Sequence, residues 1–327
     1  MISSPMHIAF CVNDHYAEYI LVSIKGLLEN NSDPLVIHIL SDYISDKNTN
    51  RLKKLVGLYP NAILDIVIVD DSKLKDLKDT WTIYTWYRVL LPEILDASVH
   101  RVLYLDADTL VSENIEELFS LDMTGKAIAG TVDFQSKDKS TYQRCGYEAE
   151  KEYVCAGVMM MNLDYWREHD IANKIIDWGR DYNDRIQYPD QDAINYICRD
   201  MKLLLPLKYD IIDGFFQDDY YFQNYPQELR ECIESPAIIH YAGQAPWVVE
   251  ISNHLLQDEW ERYNKLLSNP VKKVYQSTGF LKLKVIIYRL LHHNTRRKIK
   301  RQNIINRQNY DSCLLYTSDA ADDLTRV

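Results

Sequence analysis

Residues 101–110 read RVLYLDADTL, an unbroken apolar run that leads straight into two aspartates separated by one alanine. The run has the make-up of a buried β-strand covered on both faces, as in a parallel sheet. The C-terminal edge of such a sheet is where open α/β folds bind ligands, so Asp106 and Asp108 stand at the place where chemistry is done. Two carboxylates at that spacing can grip one divalent cation. Hard oxygen ligands suit Mg²⁺ or Mn²⁺, and such an ion can neutralise a departing diphosphate. A lone D-x-D is also an ordinary capped strand end, so the motif needs partners elsewhere in the chain.

Upstream, strand-like runs at 7–12, 35–40 and 63–69 alternate with helical patterns, and 101–105 follows as a fourth strand. Ile20, Leu21, Ile24, Leu27 and Leu28 recur at helical spacing, closed by Asn30, Asn31 and Pro34; Ser45 precedes a second helix with Leu52, Leu55 and Val56 on one face. This β-α-β-α-β order predicts an α/β fold with a Rossmann-like sheet flanked by helices. Beyond Asp108 the alternation weakens. Strands are expected at 126–132 and 154–161, one helix over 164–182 with Ile171, Ile175, Trp178 and Tyr182 on a face, and another beginning after Pro189 and running to about Cys198. The change of pattern indicates a substrate-binding half added to the same body, not a second independent domain.

At 327 residues, with 46% hydrophobic and 26% charged residues, the chain can build a core without staples. Cys11, Cys145, Cys155, Cys198, Cys232 and Cys313 form no C-x-x-C pair, which argues against a zinc ribbon or disulfide framework and for a reducing compartment. No signal-peptide pattern opens the chain and no apolar run reaches about 18 residues, so neither secretion nor a membrane span is expected. The net charge of −11 hides a division: residues 1–271 carry 25 basic and 44 acidic side chains, whereas 272–310 carry 11 basic and none acidic. The acidic body argues against nucleic acid as partner. Residues 280–291, FLKLKVIIYRLL, and the cluster Arg296, Arg297, Lys298, Lys300 and Arg301 have the make-up of a basic amphipathic helix on an anionic membrane surface. The alternative is a helix packed on the parent body. The expected division is therefore 1–271 as the globular domain, 272–310 as a basic tail, and 311–327, which continues no pattern, as non-native or disordered.

Two downstream segments offer partners for the D-x-D. In 237–247, AIIHYAGQAPW, His240 ends a short apolar strand and can supply an imidazole as third metal ligand. In 188–195, YPDQDAIN, Asp190, Gln191 and Asp192 stand at a helix N-terminus, where free N–H groups and the dipole favour hydroxyl-rich or anionic ligands. Each has an ordinary structural reading as well, since Asp is a favoured helix cap.

Taken together, Asn13-Asp14-His15-Tyr16 after the first strand, LYLDADTLV, YVCAGVMMMNLDYWR, YPDQDAIN and HYAGQAPW, in this order over residues 6–270, resemble glycosyltransferase family 8, close to bacterial lipopolysaccharide galactosyltransferases and glucosyltransferases. The resemblance implies a GT-A fold and a metal-dependent, retaining transfer of galactose or glucose from a UDP-sugar to a glycan or glycolipid acceptor. It implies Asp106, Asp108 and His240 as Mn²⁺ (or Mg²⁺) ligands, Tyr16 stacked on uracil, and Cys11 and Asn13 reading the uridine. Arg88 matches an arginine near the donor sugar, and Ala107, Cys155, Ala156 and Gly243 lie in matched donor-site segments. Asp190 matches a residue that binds sugar hydroxyls and Gln191 the side chain beneath the anomeric carbon. Gln191 is a poor nucleophile, which favours a front-face mechanism, with Asp190 and Asp192 as alternative nucleophiles. The tail then implies a cytoplasmic protein held on the inner face of the cell membrane.

This chain departs from the pattern at three places. Cys155 stands where relatives carry Asn, Asn13 where many carry Asp, and Gln244-Ala245 runs directly into Pro246-Trp247 without a diphosphate-gripping Lys. Weaker UDP affinity, or a substitute cation from the tail, is the expectation. Two rivals remain open at this stage. One is a haloacid dehalogenase-like phosphatase with Asp106 as nucleophile and Asp108 as acid/base, and the other a catalytically degenerate nucleotide-sugar binding module.

Overall fold

The computed structural model describes residues 4–77, 82–278, 282, 301, 302, 304 and 305. The helix expected over 280–291 (Lys282 excepted), most of the basic cluster and the segment 311–327 lie outside the described residues. The strands are β1 (Met6–Cys11), β2 (Leu35–Ser41), β3 (Ala62–Ile68), β4 (Arg101–Leu105), β5 (Thr109–Val111), β6 (Ile128–Val132), β7 (Val154–Asn162), β8 (Lys202–Leu205), β9 (Ile211–Ile212) and β10 (Ile238–His240). The helices are α1 (Ile20–Asn30), α2 (Asp46–Val56), α3 (Leu91–Ile94), α4 (Glu116–Phe119), α5 (Lys139–Cys145), α6 (Leu163–Glu168), α7 (Ile171–Asp181), α8 (Pro189–Ile197), α9 (Asp219–Asn224), α10 (Pro226–Glu234) and α11 (Gln257–Leu266). Among the described residues no helix is long and apolar enough to cross a membrane.

Seven strands form one sheet in the order β3-β2-β1-β4-β7-β6-β8, and three form a second in the order β5-β10-β9. In the first sheet β7 alone is reversed: it pairs antiparallel with β4 and β6, while the other pairings are parallel. The C-terminal ends of β1, β4 and β6 and the N-terminal end of β7 therefore share one edge. Period-2 alternation explains why the central strands read as unbroken apolar runs. Ile8 and Phe10 of β1 and Leu103 and Leu105 of β4 pack on one side, while Ala9, Cys11, Val102 and Tyr104 pack on the other. Both faces are covered.

The chain passes from the large sheet to the small one through Asp106, Ala107 and Asp108, which link β4 directly to β5. Helix α1 presses on β5. A Cβ built at Gly26 would stand 2.3 Å from the Val111 carbonyl oxygen, so only glycine lets helix and strand approach this closely.

The single helix expected over 164–182 is two helices in the structure. Asp170 adopts φ 53, a left-handed conformation that Asp tolerates better than most residues, and accepts from Asn173 Nδ2 at 2.7 Å. The break lets Leu163 and Trp166 on one side, and Ile171, Ile175 and Trp178 on the other, face the same core. At the far end the chain stays on the body beyond residue 271. The Val274 amide donates to Trp247 O, Arg301 donates to Leu255 O, and Ile304 is buried in the core.

Alanine at an ordinary helical glycine stabilises by roughly 1 kcal/mol. Gly26→Ala should instead lower stability by about 1–3 kcal/mol, as overpacking does, in urea denaturation. Unchanged or raised stability would reject this account of the α1–β5 contact.

Candidate active site

The shared strand edge opens into a cavity of about 690 Å³. Its floor is set by strand register. Antiparallel pairing of β10 with β5 puts His240 opposite Thr109, the residue after Asp108, and Tyr241 N donates to Asp108 O at 2.9 Å. On the other side Asp106 N continues the β4–β7 ladder by donating to Gly157 O at 2.8 Å. His240 Nε2 consequently lies 3.4 Å from Asp108 Oδ1 and 3.9 Å from Asp106 Oδ2, and one ligand atom from each of the three falls within 4.8 Å of the others.

The opposite edge of the ring settles its orientation. His240 Nδ1 lies 2.8 Å from Asp210 Oδ1, so a neutral ring donates Nδ1–H there and turns the Nε2 lone pair toward Asp106 and Asp108. Burial disfavours charge on the ring, but Asp210 and Asp108 outweigh it and raise its pKa well above the ordinary value. The environment thus demands positive charge at this point. Two carboxylates and an oriented imidazole form a donor set that fits a Mn²⁺- or Mg²⁺-like cation.

The wall opposite is organised by Arg88, carried on a 3₁₀ segment over Ile83–Leu90 and 2% exposed. Nη2 donates to Asp106 Oδ1 at 2.9 Å and Nη1 donates to the Ala156 carbonyl. Nε lies 2.9 Å from Asp190 Oδ2 while its N–H points to Thr85 O. Burial resists ionisation of Asp106, yet Arg88 and then His240 more than compensate and hold its pKa below the usual value. Asp190 goes the other way, its pKa raised mainly by burial despite Arg88. Beside it Gln191 accepts from Ala156 N at 2.9 Å through Oε1 and donates through Nε2 to Asp133 Oδ2 at 3.3 Å.

At the rim, Asn13 Oδ1 accepts from Tyr16 N at 2.9 Å, and the Tyr16 ring, 41% exposed, meets Tyr19 and Trp247 edge-on. Cys11, Ala107, Cys155 and Gly243 also line the cavity, and Gly243 does so at φ +68, which favours glycine. Burial pushes the Cys11 and Cys155 thiols far above their ordinary pKa.

The glycosyl transferase family 8 profile matches residues 7–249. The chain belongs to glycosyl transferase family 8. It is 27% identical over 248 residues to a lipopolysaccharide 1,2-glucosyltransferase of Escherichia coli, spanning 74% of this chain and 73% of that one. It is likewise 27% identical over 271 residues, 77% of either chain, to a lipopolysaccharide 1,3-galactosyltransferase of Salmonella typhimurium. The fold is similar to that of the galactosyltransferase LgtC solved with donor and acceptor sugar analogs, with a TM-score of 0.71 at 23% identity over 86% of this chain and all of that one. The architecture is GT-A, as the motifs implied, and membership of family 8 sets aside the phosphatase alternative.

Within this family 8 chain the structure brings to one cavity every site residue named from the sequence except Asp192. Asp192 is fully buried behind the wall. Its oxygens accept from Arg144 Nη2 at 2.9 Å, Tyr153 O–H at 2.7 Å and the Gln187 and Tyr188 amides at 2.9 and 3.0 Å, so it fastens the turn that enters α8 and faces away from the cavity. Gln244 also turns away, toward Asp213, and adds no cation. Sequence reasoning missed Asp133 and Asp210. Asp133 follows directly on the expected strand 126–132, the same signal that marked Asp106; Asp210 follows only a single 3₁₀ turn and carried no such signal.

Burial pushes the Asp133 carboxyl up to about 6, with the Gln135 amide opposing and Asp210 adding to it. A raised carboxyl favours folding while it is protonated, so its contribution is present below about pH 4 and is lost as pH rises through about 6, on the order of 3 kcal/mol at most. Carboxyl ¹³C NMR on the metal-free protein should show Asp133 titrating near pH 6; a midpoint near 4 would refute the assignment.

Proposed function

We propose that this chain is a metal-dependent, retaining hexosyltransferase that moves galactose or glucose from a UDP-sugar to a glycan or glycolipid acceptor such as lipopolysaccharide. The observation that carries the reading is the charge balance of the cavity. Among the described lining residues four aspartates, Asp106, Asp108, Asp133 and Asp190, face one guanidinium, Arg88, already shared between two of them. A diphosphate would be repelled from such a site unless a cation entered with it. Asp106, Asp108 and His240 would hold that cation, which when bound neutralises charge on the departing diphosphate.

The protein's own groups account for the rest. Tyr16 offers an aromatic face for the uracil, and the fixed Asn13 side chain borders the same rim. Asp190, anchored by Arg88, accepts from sugar hydroxyls. Breaking the glycosyl bond builds positive charge on the sugar. Gln191 uses one lone pair of Oε1 on Ala156 N, leaving the other to face that charge. An amide is a weak nucleophile and the Asp190 carboxylate is engaged by Arg88, which supports front-face transfer with the leaving phosphate taking the acceptor's proton. Preorganised dipoles of this kind are usually the largest catalytic contribution.

Asp108→Ala should abolish Mn²⁺-dependent UDP binding in calorimetry while leaving the unfolding temperature near that of the unaltered chain. Retained metal-dependent affinity would overturn the assignment. A mass-spectrometric screen of UDP-glucose, UDP-galactose and UDP-N-acetyl sugars then reads the donor, and binding without transfer from any of them would favour a binding module. For the basic tail, an anionic lipid surface is the proposed partner, placing the chain on the inner face of the cell membrane. Because Val274 and Ile304 contact the body, the clean variant is Arg296, Arg297, Lys298 and Lys300 all to Gln, not truncation. At about 1 kcal/mol per basic residue, losing four should weaken binding to anionic vesicles by about a hundredfold or more in sedimentation; unchanged sedimentation rejects the anchor.

A further inference from the structure

His240 has a second face that the reading above leaves to a hydrogen bond alone. On that side Cys155 Sγ lies 3.7 Å from Nδ1, and Cys155, Asp210 and His240 each offer a donor atom within 4.8 Å of the others. All three residues are at most 4% exposed. Asp210 Oδ2 is buried there without a hydrogen-bond partner, an independent sign that something is wanted beside this carboxylate.

We propose that Cys155, Asp210 and the Nδ1 edge of His240 form a second cation site, selective for thiophilic divalent ions such as Zn²⁺, and that its filling excludes a hard cation from the Asp106–Asp108 side. The geometry is close to that of a bound ion. A zinc with S and N ligands at about 2.3 and 2.0–2.1 Å and tetrahedral angles separates S from N by about 3.6 Å, which is nearly the spacing found. Asp210 Oδ1, at 2.8 Å from Nδ1, is closer than two ligands of one ion stand, so the carboxylate turns aside by about half an ångström or more to admit the ion. Cys155 and His240 line the cavity, which gives the ion its path, and solvent completes the fourth position.

Exclusion follows from the ring's single proton. With an ion on Nδ1, a neutral imidazole carries its proton on Nε2, and that N–H points at Asp106 and Asp108 in place of a lone pair. The Cys155 thiol and the Nδ1–H give up their protons to solvent as they ligate, the Nε2–H stays in place, and no electrons are transferred. The thiol makes the site choose soft ions over Mn²⁺ or Mg²⁺.

The test uses the full chain, metal-free and without sugar nucleotide, titrated with Co²⁺ and read by thiolate-to-cobalt charge-transfer absorption in the near ultraviolet. The band should appear in the unaltered chain and in Cys11→Ser, be displaced by Zn²⁺, and vanish in Cys155→Ser and in Cys155→Ala. No band in the unaltered chain, or a band that survives loss of Cys155, overturns the site. With one equivalent of Co²⁺ bound and its thiolate band present, Mn²⁺ binding read by electron paramagnetic resonance should be about tenfold or more weaker than in the metal-free chain; equal Mn²⁺ binding while the band persists overturns the exclusion. Only this second arm rests on the proposed function. Asp108→Ala should keep the cobalt band, so the two readings fail separately.

Discussion

Arg88 is the constraint on which the site depends. Its guanidinium is buried, and taking such an ion out of water costs several kcal/mol unless every direction is compensated. Here Asp106, the Ala156 carbonyl and Thr85 O accept from Nη2, Nη1 and Nε, Asp190 adds a second counter-charge 2.9 Å from Nε, and the Tyr104 ring lies 4.1 Å away across the face. A lysine has one point of charge and could not reach three groups in one plane. Removing the cation would leave two carboxylates facing each other in a poorly solvated wall, a loss of about 3–5 kcal/mol by analogy with broken buried pairs. Position and charge state of Asp106 and Asp190 are therefore one problem with one solution.

That arrangement couples the two halves of the cavity. Asp106 belongs to the floor through Oδ2, near His240, and to the wall through Oδ1, which accepts from Arg88 and from Tyr104 O–H at 2.7 Å. Any ion drawn to the floor shares a carboxylate with the residue that anchors the wall. The small sheet contributes in the same way: β10 delivers His240 while β9 precedes Asp213, whose carboxylate accepts from Leu255 N, so the floor is tied to the segment that Arg301 also contacts.

How much of this was legible in the sequence follows from what leaves a pattern. The central strands did, because burial on both faces forces unbroken apolar runs, and the D-x-D did because it interrupts one. Strands β5 and β9 span three and two residues, too few for any periodicity, so the small sheet left no trace apart from the apolar run before His240. The break at Asp170 was hidden because both halves keep helical spacing. Asp192 illustrates a constraint that was present but unused. Successive helical residues point about 100° apart, so Asp190, Gln191 and Asp192 could not all face one cavity. The one that turns inward meets Arg144, which lies 48 positions away in sequence and gives no local signal.

The reversed strand β7 explains why the floor is so compact. Running against its neighbours, it brings its first residues, Cys155 to Gly157, to an edge where every other central strand brings its last. At Gly157 a Cβ would stand 2.3 Å from His240 Cε1 and 2.8 Å from Asp106 Oδ2, so imidazole and carboxylate lie directly on strand backbone with no side chain between. A parallel strand here would end at the edge with a connection leading away and would free no such backbone. Cys155, two residues before, then falls on the far side of the same ring by the pleat alone, since residues i and i+2 share a face. The two sides of His240 are thus set by one strand, which is why a change at position 155 reaches the ring that Asp106 and Asp108 need.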